Sequence, residues 1–402
     1  MTNKFSYDGL FTEKSEDLPI SVVQHAKYDF AVAYPAPETL PMDGLVRALQ
    51  VAVDARGDEI ARQMAYYPHV KGSPELREFT SFKLDNDRGF KVNPDDIVLT
   101  NGSGEAIQLI IHAITEPGDT VITEQYVYGG TFNQLKKAQA DIVGTPMDDQ
   151  GIIPNLLEEL IMRLIKKNRK PKYLYSIPEH QNPMGPTLPI ERKKQILEIL
   201  NKYSMPVIED ECYVDLRFEG QVQPPFRALD DSGIVIYIGS YSKLLAPGLR
   251  LGYFVAPEDL TRRAMSFRHG SGSNLFGAYA IEGFLRNNLD AHRGKFNPLL
   301  KQKKDAMVMS LEENFSGTGA TWSNPEGGCY LWLTLPEGSD ISSIRDDIFN
   351  EGVGYLGGTN FAPNNDGQNC ARLCFAFESP QKNKEGIELL SHLLKNRSII
   401  KN

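Results

Sequence analysis

The chain has only four cysteines in 402 residues. Cys212, Cys329, Cys370 and Cys374 form no CxxC pair, and no Cys/His cluster has zinc spacing, so neither a metal-binding module nor a disulfide framework is indicated. Cys370 and Cys374 sit in the apolar run ARLCFAF, where small buried side chains are the simpler reading. Basic residues are also in short supply: 43 Lys and Arg stand against 52 Asp and Glu, a net charge of −9. Without a basic excess little is available to neutralise phosphates, which argues against a nucleic-acid partner. No apolar run approaches the roughly 18 residues that a membrane helix needs. The opening MTNKFSYDGLFTEKSEDLPI has no basic segment followed by an apolar one, so it does not read as a secretory signal. Internal repeats and low-complexity blocks are missing too. These absences leave a reduced, soluble, cytoplasmic globular protein as the expectation.

What is present is a globular composition, 41% hydrophobic and 24% charged. A chain of this length exceeds what one core usually covers, so two domains are expected. From Gly44 the run GLVRALQVAVDARGDEIARQMA spaces its apolar residues by three and four, as a helix does. Strand-like runs then alternate with helical ones: DIVLT, DTVITE, KYLYSI, PVIED, IVIYIGS and LGYFVA. Apolar strands separated by helices of ten or more residues predict a mainly parallel, doubly wound α/β sheet. After Ala291 the character changes to a long charged helix, strands around CYLWLTL and ARLCFAF, and a final helix. That segment reads as a smaller α+β domain. The expected division is a large domain over 44–290 and a small one formed by 1–43 and 291–402.

Ligands of doubly wound sheets sit outside the C-terminal ends of the strands. Four predicted strands end there in small or polar groups. DIVLT leads into Asn101, Gly102, Ser103, Gly104 and Glu105, and KYLYSI into Pro178, Asn182, Pro183 and Gly185. PVIED ends on Asp210 with Tyr213 three residues on, and IVIYIGS runs into Ser240, Ser242 and Lys243. Two serines, a lysine at a strand end and Arg250 seven residues later suit a phosphate and an amine in one place, because arginine offers forked donors to phosphate oxygens. A helix opening at Ser103 would add unpaired N–H groups and a favourable dipole for the same anion.

The string Ser240-Tyr241-Ser242-Lys243 through Ala246-Pro247-Gly248-Leu249-Arg250-Leu251-Gly252 resembles the Schiff-base segment of the fold-type I pyridoxal-5'-phosphate (PLP) aminotransferases, the aspartate aminotransferase superfamily. The resemblance runs from about Asp29 to the C-terminus. It implies that Lys243 binds PLP as a Schiff base and shuttles the proton between substrate Cα and cofactor C4', and that Ser240, Ser242 and Arg250 hold the phosphate. Ser103, Gly104 and Glu105 match the family's TxGSQQAL segment. Asp210 and Tyr213 match its DxxY step, which implies an aspartate facing the pyridine nitrogen and a tyrosine donating to O3'. Asn182 falls in Gln181-Asn182-Pro183-Met184-Gly185, similar to QNPTG, and is implied to reach O3' and orient the substrate carboxylate. Tyr128 is implied to stack on the ring, and Arg372 to clamp the α-carboxylate. Tyr67, in a segment similar to YGPxxGxxxLR, is implied to reach the phosphate of the partner subunit. The resemblance thus implies a homodimer with shared active sites, acting on amino-acid and 2-oxo-acid substrates by a ping-pong mechanism. Its most similar branch contains 2-aminoadipate and kynurenine aminotransferases and the C-terminal domains of MocR-type regulators. The chain has no room for those regulators' DNA-binding domain, so a free-standing enzyme is expected.

The match is broken around the substrate. Where the family has a glycine turn of the form GGLPxPExFP, this chain has Ala33 and Tyr34, which add bulk at the mouth and place Tyr34 among the substrate-binding residues. His180 stands where an aromatic or apolar residue is common and reads as a loop histidine. Met184 replaces the threonine of QNPTG, and Tyr355 and Gly357 alter the C-terminal loop. Fold does not settle the reaction. A β- or γ-substitution, lyase, decarboxylase or oxidase reaction, or a non-catalytic PLP- and amino-acid-sensing role, therefore stays open as the alternative to transamination.

Overall fold

The protein is described from a computed structural model over residues 6–11, 24–32, 34–270, 272–364 and 366–401. Seven strands form the larger sheet: β1 (Ile97–Thr100), β2 (Thr120–Glu124), β3 (Asp141–Thr145), β4 (Leu174–Ser176), β5 (Val207–Asp210), β6 (Val235–Ser240) and β7 (Gly252–Val255). Their spatial order is β1-β7-β6-β5-β4-β2-β3. Every pairing is parallel except those of β7, which runs against both β1 and β6. All residues of β1, β2, β4, β5, β6 and β7 are buried, as a sheet covered on both faces requires.

The helix Pro74–Arg88 begins with Ser73 Oγ accepting from the Leu76 N–H, has Pro74 in its first turn, and stops at Gly89 in the left-handed region. That is the start-and-stop chemistry helices favour. A second, antiparallel sheet follows later in the chain. Its strands β8 (Thr321–Trp322), β9 (Tyr330–Thr334), β10 (Leu356–Gly357) and β11 (Cys370–Cys374) lie in the order β8-β9-β11-β10. Tyr28–Asp29 pairs in parallel with Val353–Gly354, so the described N-terminal stretch joins this later part of the chain.

One feature differs from the reading of the sequence. The charged helix expected after Ala291 is the second half of a continuous 41-residue helix, Leu275–Phe315, that carries Pro298 inside it. Residue 290 thus lies within a helix and not in a linker. The earlier half packs against the helix Met42–Met64, where Gly44 meets Phe284 and Ala48 meets Gly283, and the later half packs against Pro380–Asn396, where Asn383 donates to the Lys303 carbonyl. Among the described residues no helix is long and apolar enough to cross a membrane, and no group of His, Cys, Asp and Glu could hold a metal ion.

Candidate active site

The strand order places one cluster of small and polar groups at a single rim of the large sheet. Gly252, the first residue of β7, is paired with both Thr100 and Ser240, so the ends of β1 and β6 flank it. A helix, Ser103–Ile114, opens beside this rung, with Gly102 at its N-cap at φ 85°. The Arg250 guanidinium crosses to the same place and donates to the Asn101 carbonyl at 2.9 Å. A Cβ on Gly102 would come within 2.6 Å of Arg250 Nη2, so glycine here permits both the turn and the approach of the arginine. Ser240 Oγ accepts from the Ser242 N–H at 3.1 Å. Helix N–H groups, two serines and a guanidinium thus converge on one anion-sized site.

One strand along the rim, Asp210 closes β5. It is buried, and both carboxylate oxygens are engaged: Tyr175 OH donates to Oδ2 at 2.7 Å and Cys212 Sγ to Oδ1 at 2.8 Å. Burial raises its pKa, while the thiol and the phenol pull it down. Next to it, Asn182 is fully buried and joins two predicted site residues. Its amide donates to Tyr213 OH at 2.9 Å, and its Oδ1 accepts from Arg372 Nη1 at 3.2 Å. Lys243 follows β6 and is half-buried. Burial lowers its pKa, opposed by the nearby Cys329, Cys212 and Cys374 thiols.

Arg372 lies in β11, opposite Trp332 of β9 and Leu356 of β10. Its guanidinium sits over the Tyr330 ring at 4.2 Å, and Nη2 donates to the Ala31 carbonyl at 2.8 Å. Arg372 Nε is buried with no hydrogen-bond partner among the described residues. With Tyr34, Tyr128, Asn133, Phe349 and Phe361 it lines a cleft of about 470 Å³. Tyr34 is 40% exposed at this mouth and meets the Phe377 ring edge-on at 6.1 Å. Ala33 lies outside the described residues. A larger cleft of about 800 Å³, between Met42–Met64 and Leu275–Phe315, holds none of the predicted residues.

Two predicted residues stand apart. Glu105 turns its carboxylate back to the Asn101 N–H at 2.6 Å and pairs with Arg268 at 3.1 Å, so its side chain braces the start of the helix. Tyr67 is 89% exposed.

Several supporting residues were invisible to motif reading. Arg88 binds Glu211 with two nitrogens, at 2.8 and 2.5 Å, and Glu179 at 2.8 Å. It thereby ties the residue after Asp210 to the segment that leads to Asn182. Lys193 and Arg217 also reach Glu179, at 3.5 and 2.9 Å. Glu124, at the end of β2, accepts from Ser176 Oγ, the Ile177 N–H and Gln181 Nε2. Burial raises its pKa to about 8 against those three donors.

His180 is buried at φ 51°, with Nδ1 3.3 Å from Thr187 Oγ1. Burial, aided by the charge of Arg217, lowers its pKa to about 3. An unfolded histidine takes up a proton near pH 6.5, whereas the folded one does so only near 3. The stability it contributes is therefore present above pH 6.5 and lost as pH falls through the interval. From this group alone the unfolding free energy should fall by up to about 1.4 kcal/mol per pH unit there. In urea titrations, His180→Phe should flatten the acid-side slope by that amount, whatever its effect at pH 7.5. An unchanged slope would mean that the ring protonates within the fold.

The rim groups suit PLP by their chemistry. Donors suited to an anion lie at β1, β7 and β6, a buried carboxylate closes β5 one strand away, and an amine of lowered basicity follows β6. Together with the two sheets, this donor set defines the fold-type I architecture of PLP-dependent aminotransferases. The family model described as aminotransferase class I and II matches residues 40–390, and the chain belongs to that family. It is 31% identical over 403 residues to aromatic-amino-acid aminotransferase 1 of Thermococcus litoralis, covering 97% of this chain and 95% of that one. Its fold superposes on the multiple substrate aminotransferase of Thermococcus profundus with a TM-score of 0.89 at 29% identity, covering 98% of this chain and 99% of that one. A kynurenine aminotransferase of Pyrococcus horikoshii, solved with PMP, gives a TM-score of 0.85 at 31% identity over 92% of this chain and 91% of that one. The protein is an aminotransferase, and the family together with such complexes implies PLP as its cofactor.

Proposed function

We propose that this chain transfers an amino group between an L-amino acid and a 2-oxo acid by a ping-pong mechanism, as a cytoplasmic homodimer with PLP held at the rim described above. The observation that carries this reading is the linkage of Tyr213, Asn182 and Arg372 by hydrogen bonds, beside Asp210 and Lys243. Bound PLP supplies an electron sink that stabilises negative charge at the substrate Cα.

The chain's own groups do the rest. Ser103 and Gly104 N–H groups, Ser240, Ser242 and Arg250 hold the phosphate, and Tyr128 covers the ring. Asp210 keeps a proton on the pyridine nitrogen, and a cation there favours its ionised form against burial. Asn182 and Tyr213 donate toward O3'. Arg372 grips the α-carboxylate, with its unpaired Nε available as a further donor. Lys243, whose amine burial favours in the neutral form, would form the covalent link to the cofactor and serve as the base that takes the substrate Cα proton. Tyr34 and Phe361 flank the side-chain end of the cleft. The division into a large domain of 44–290 and a small domain of 1–43 with 291–402 belongs to the same proposal.

Incubation with PLP should give a visible absorbance band, and a panel of L-amino acids without acceptor should convert bound PLP to pyridoxamine 5'-phosphate and release 2-oxo acids. Return of the band after each turnover, with no pyridoxamine 5'-phosphate formed, would replace transamination by a lyase or substitution reaction. The dimer is supported by the exposed Tyr66, Tyr67, Val70, Phe267 and Phe276, an apolar set that a partner chain would cover. Sedimentation should give twice the chain mass, and Tyr67→Phe should weaken PLP retention severalfold without dissociating the dimer. A monomer of full activity would overturn shared sites.

A further inference from the structure

We infer that Cys212 is a positioning residue for the reaction: its S–H bond to Asp210 Oδ1 sets the orientation and basicity of the carboxylate that serves the cofactor's ring nitrogen. The inference rests on the PLP reading given above and deepens it at one oxygen atom. Asp210 has two carboxylate oxygens and one side-chain donor on each, Tyr175 OH on Oδ2 at 2.7 Å and Cys212 Sγ on Oδ1 at 2.8 Å. The two donors differ in setting. Tyr175 lies inside β4, fully buried, and cannot leave its oxygen without disturbing the sheet. Cys212 is the one partly exposed cysteine of the four, on the chain just beyond the end of β5. A ring nitrogen that approaches Asp210 therefore meets a carboxylate already locked on Oδ2 and contested on Oδ1 by a weak donor.

The thiol also lies among the other site groups. Ser103 and Lys243 both influence the Cys212 thiol, and Cys212 and Asp210 both influence Tyr128. These relations put the sulfur beside the residues proposed to hold the cofactor. The groups that face Asp210 and its neighbours from the surrounding elements are Tyr175 from β4, Glu124 from β2, Glu211 on its own segment, Tyr128 and Lys243.

The direction of its effect follows from charge. An S–H donor draws negative charge from Asp210, so its removal leaves a more strongly negative carboxylate beside the ring. That charge favours the protonated form of the lysine–cofactor linkage. In Cys212→Ala, the midpoint of the visible-absorbance pH titration of the PLP-loaded protein should therefore rise, by about half a unit to one unit. Cys212→Ser, which keeps a donor of similar reach, should restore the wild-type midpoint. A second readout needs no turnover. After PLP has been stripped, Cys212, whose thiol burial and the Asp210 charge hold well above the usual range, should exchange slowly with a disulfide reagent such as 5,5'-dithiobis(2-nitrobenzoate) at high pH, releasing one thiolate of the reagent as the mixed disulfide forms. Added PLP should protect that thiol, and Cys212→Ala should lose it.

Equal midpoints in wild type and Cys212→Ala, or a Cys212 that labels at the same rate with and without PLP, would overturn the inference. A wild-type chain that takes up no PLP at all would instead overturn the cofactor reading on which it rests.

Discussion

Replacing Lys243 by alanine is expected to abolish turnover, by roughly 10³–10⁴-fold or more, because one side chain carries both the covalent attachment and the proton transfer proposed for this site. The structure gives this lysine the chemistry that both tasks need. It follows directly on β6, half-buried, and burial lowers its pKa, so a larger share of the amine is neutral near pH 8 than for a surface lysine. Only the neutral amine attacks a carbonyl. The loss should be visible without any assay of activity. Borohydride treatment of the PLP-loaded wild type should add the reduced cofactor to the chain mass, and Lys243→Ala should gain nothing under the same treatment. The phosphate site proposed at Ser103, Ser240 and Arg250 is untouched by the substitution, so PLP should still bind the variant reversibly. A variant that retained wild-type turnover, or that still trapped the cofactor, would place the attachment on another lysine.

Most of the site residues that could be read from the sequence share one property. They lie at or just beyond the end of an apolar strand, where a polar or small group has no packing reason to be. Lys243, Asp210, Asn182 and the Asn101–Gly104 turn all have that position, and the alternation of strands and helices made the mainly parallel sheet legible with them. Residues whose work depends on distant partners were not legible. Tyr175 sits in the middle of KYLYSI and looks like core until its hydroxyl is found on Asp210. Arg88 lies 91 residues from Glu179 and 123 from Glu211, and nothing local marks three charges as one buried cluster. Glu105 was carried over as a cofactor-binding residue, whereas its side chain braces the helix start, the work a glutamate at the third helical position commonly does. The long helix Leu275–Phe315 was legible only in its later, charged half for a physical reason. Its packing partner changes along its length, from Met42–Met64 to Pro380–Asn396, and the apolar pattern changes with it.

Arg372→Met should raise the KM for the amino donor far more than it lowers kcat, with a loss of about 2–5 kcal/mol, or roughly 30- to 5000-fold, in kcat/KM. The guanidinium is almost fully buried, yet the acceptors it meets are neutral: the Asn182 amide and the Ala31 and Val32 carbonyls. A buried cation without a carboxylate among its hydrogen-bond partners is costly to hold unless an anion completes it. The faces of Tyr330 and Phe361, at 4.2 and 5.3 Å, offset part of that cost and fix the plane of the fork. The substrate α-carboxylate is the anion this arrangement suits, and it makes the same contact in the ground state and the transition state, which is why KM carries the effect. Arg372→Lys tests the geometry separately from the charge. It keeps the cation but cannot form two parallel bonds, so it should fall between the wild type and Arg372→Met. PLP uptake should remain close to normal in both variants, because Arg372 belongs to β11 and not to the phosphate cup. If KM for the donor did not change in Arg372→Met, the α-carboxylate would have to bind elsewhere, and the proposed direction of the substrate in the cleft would be reversed.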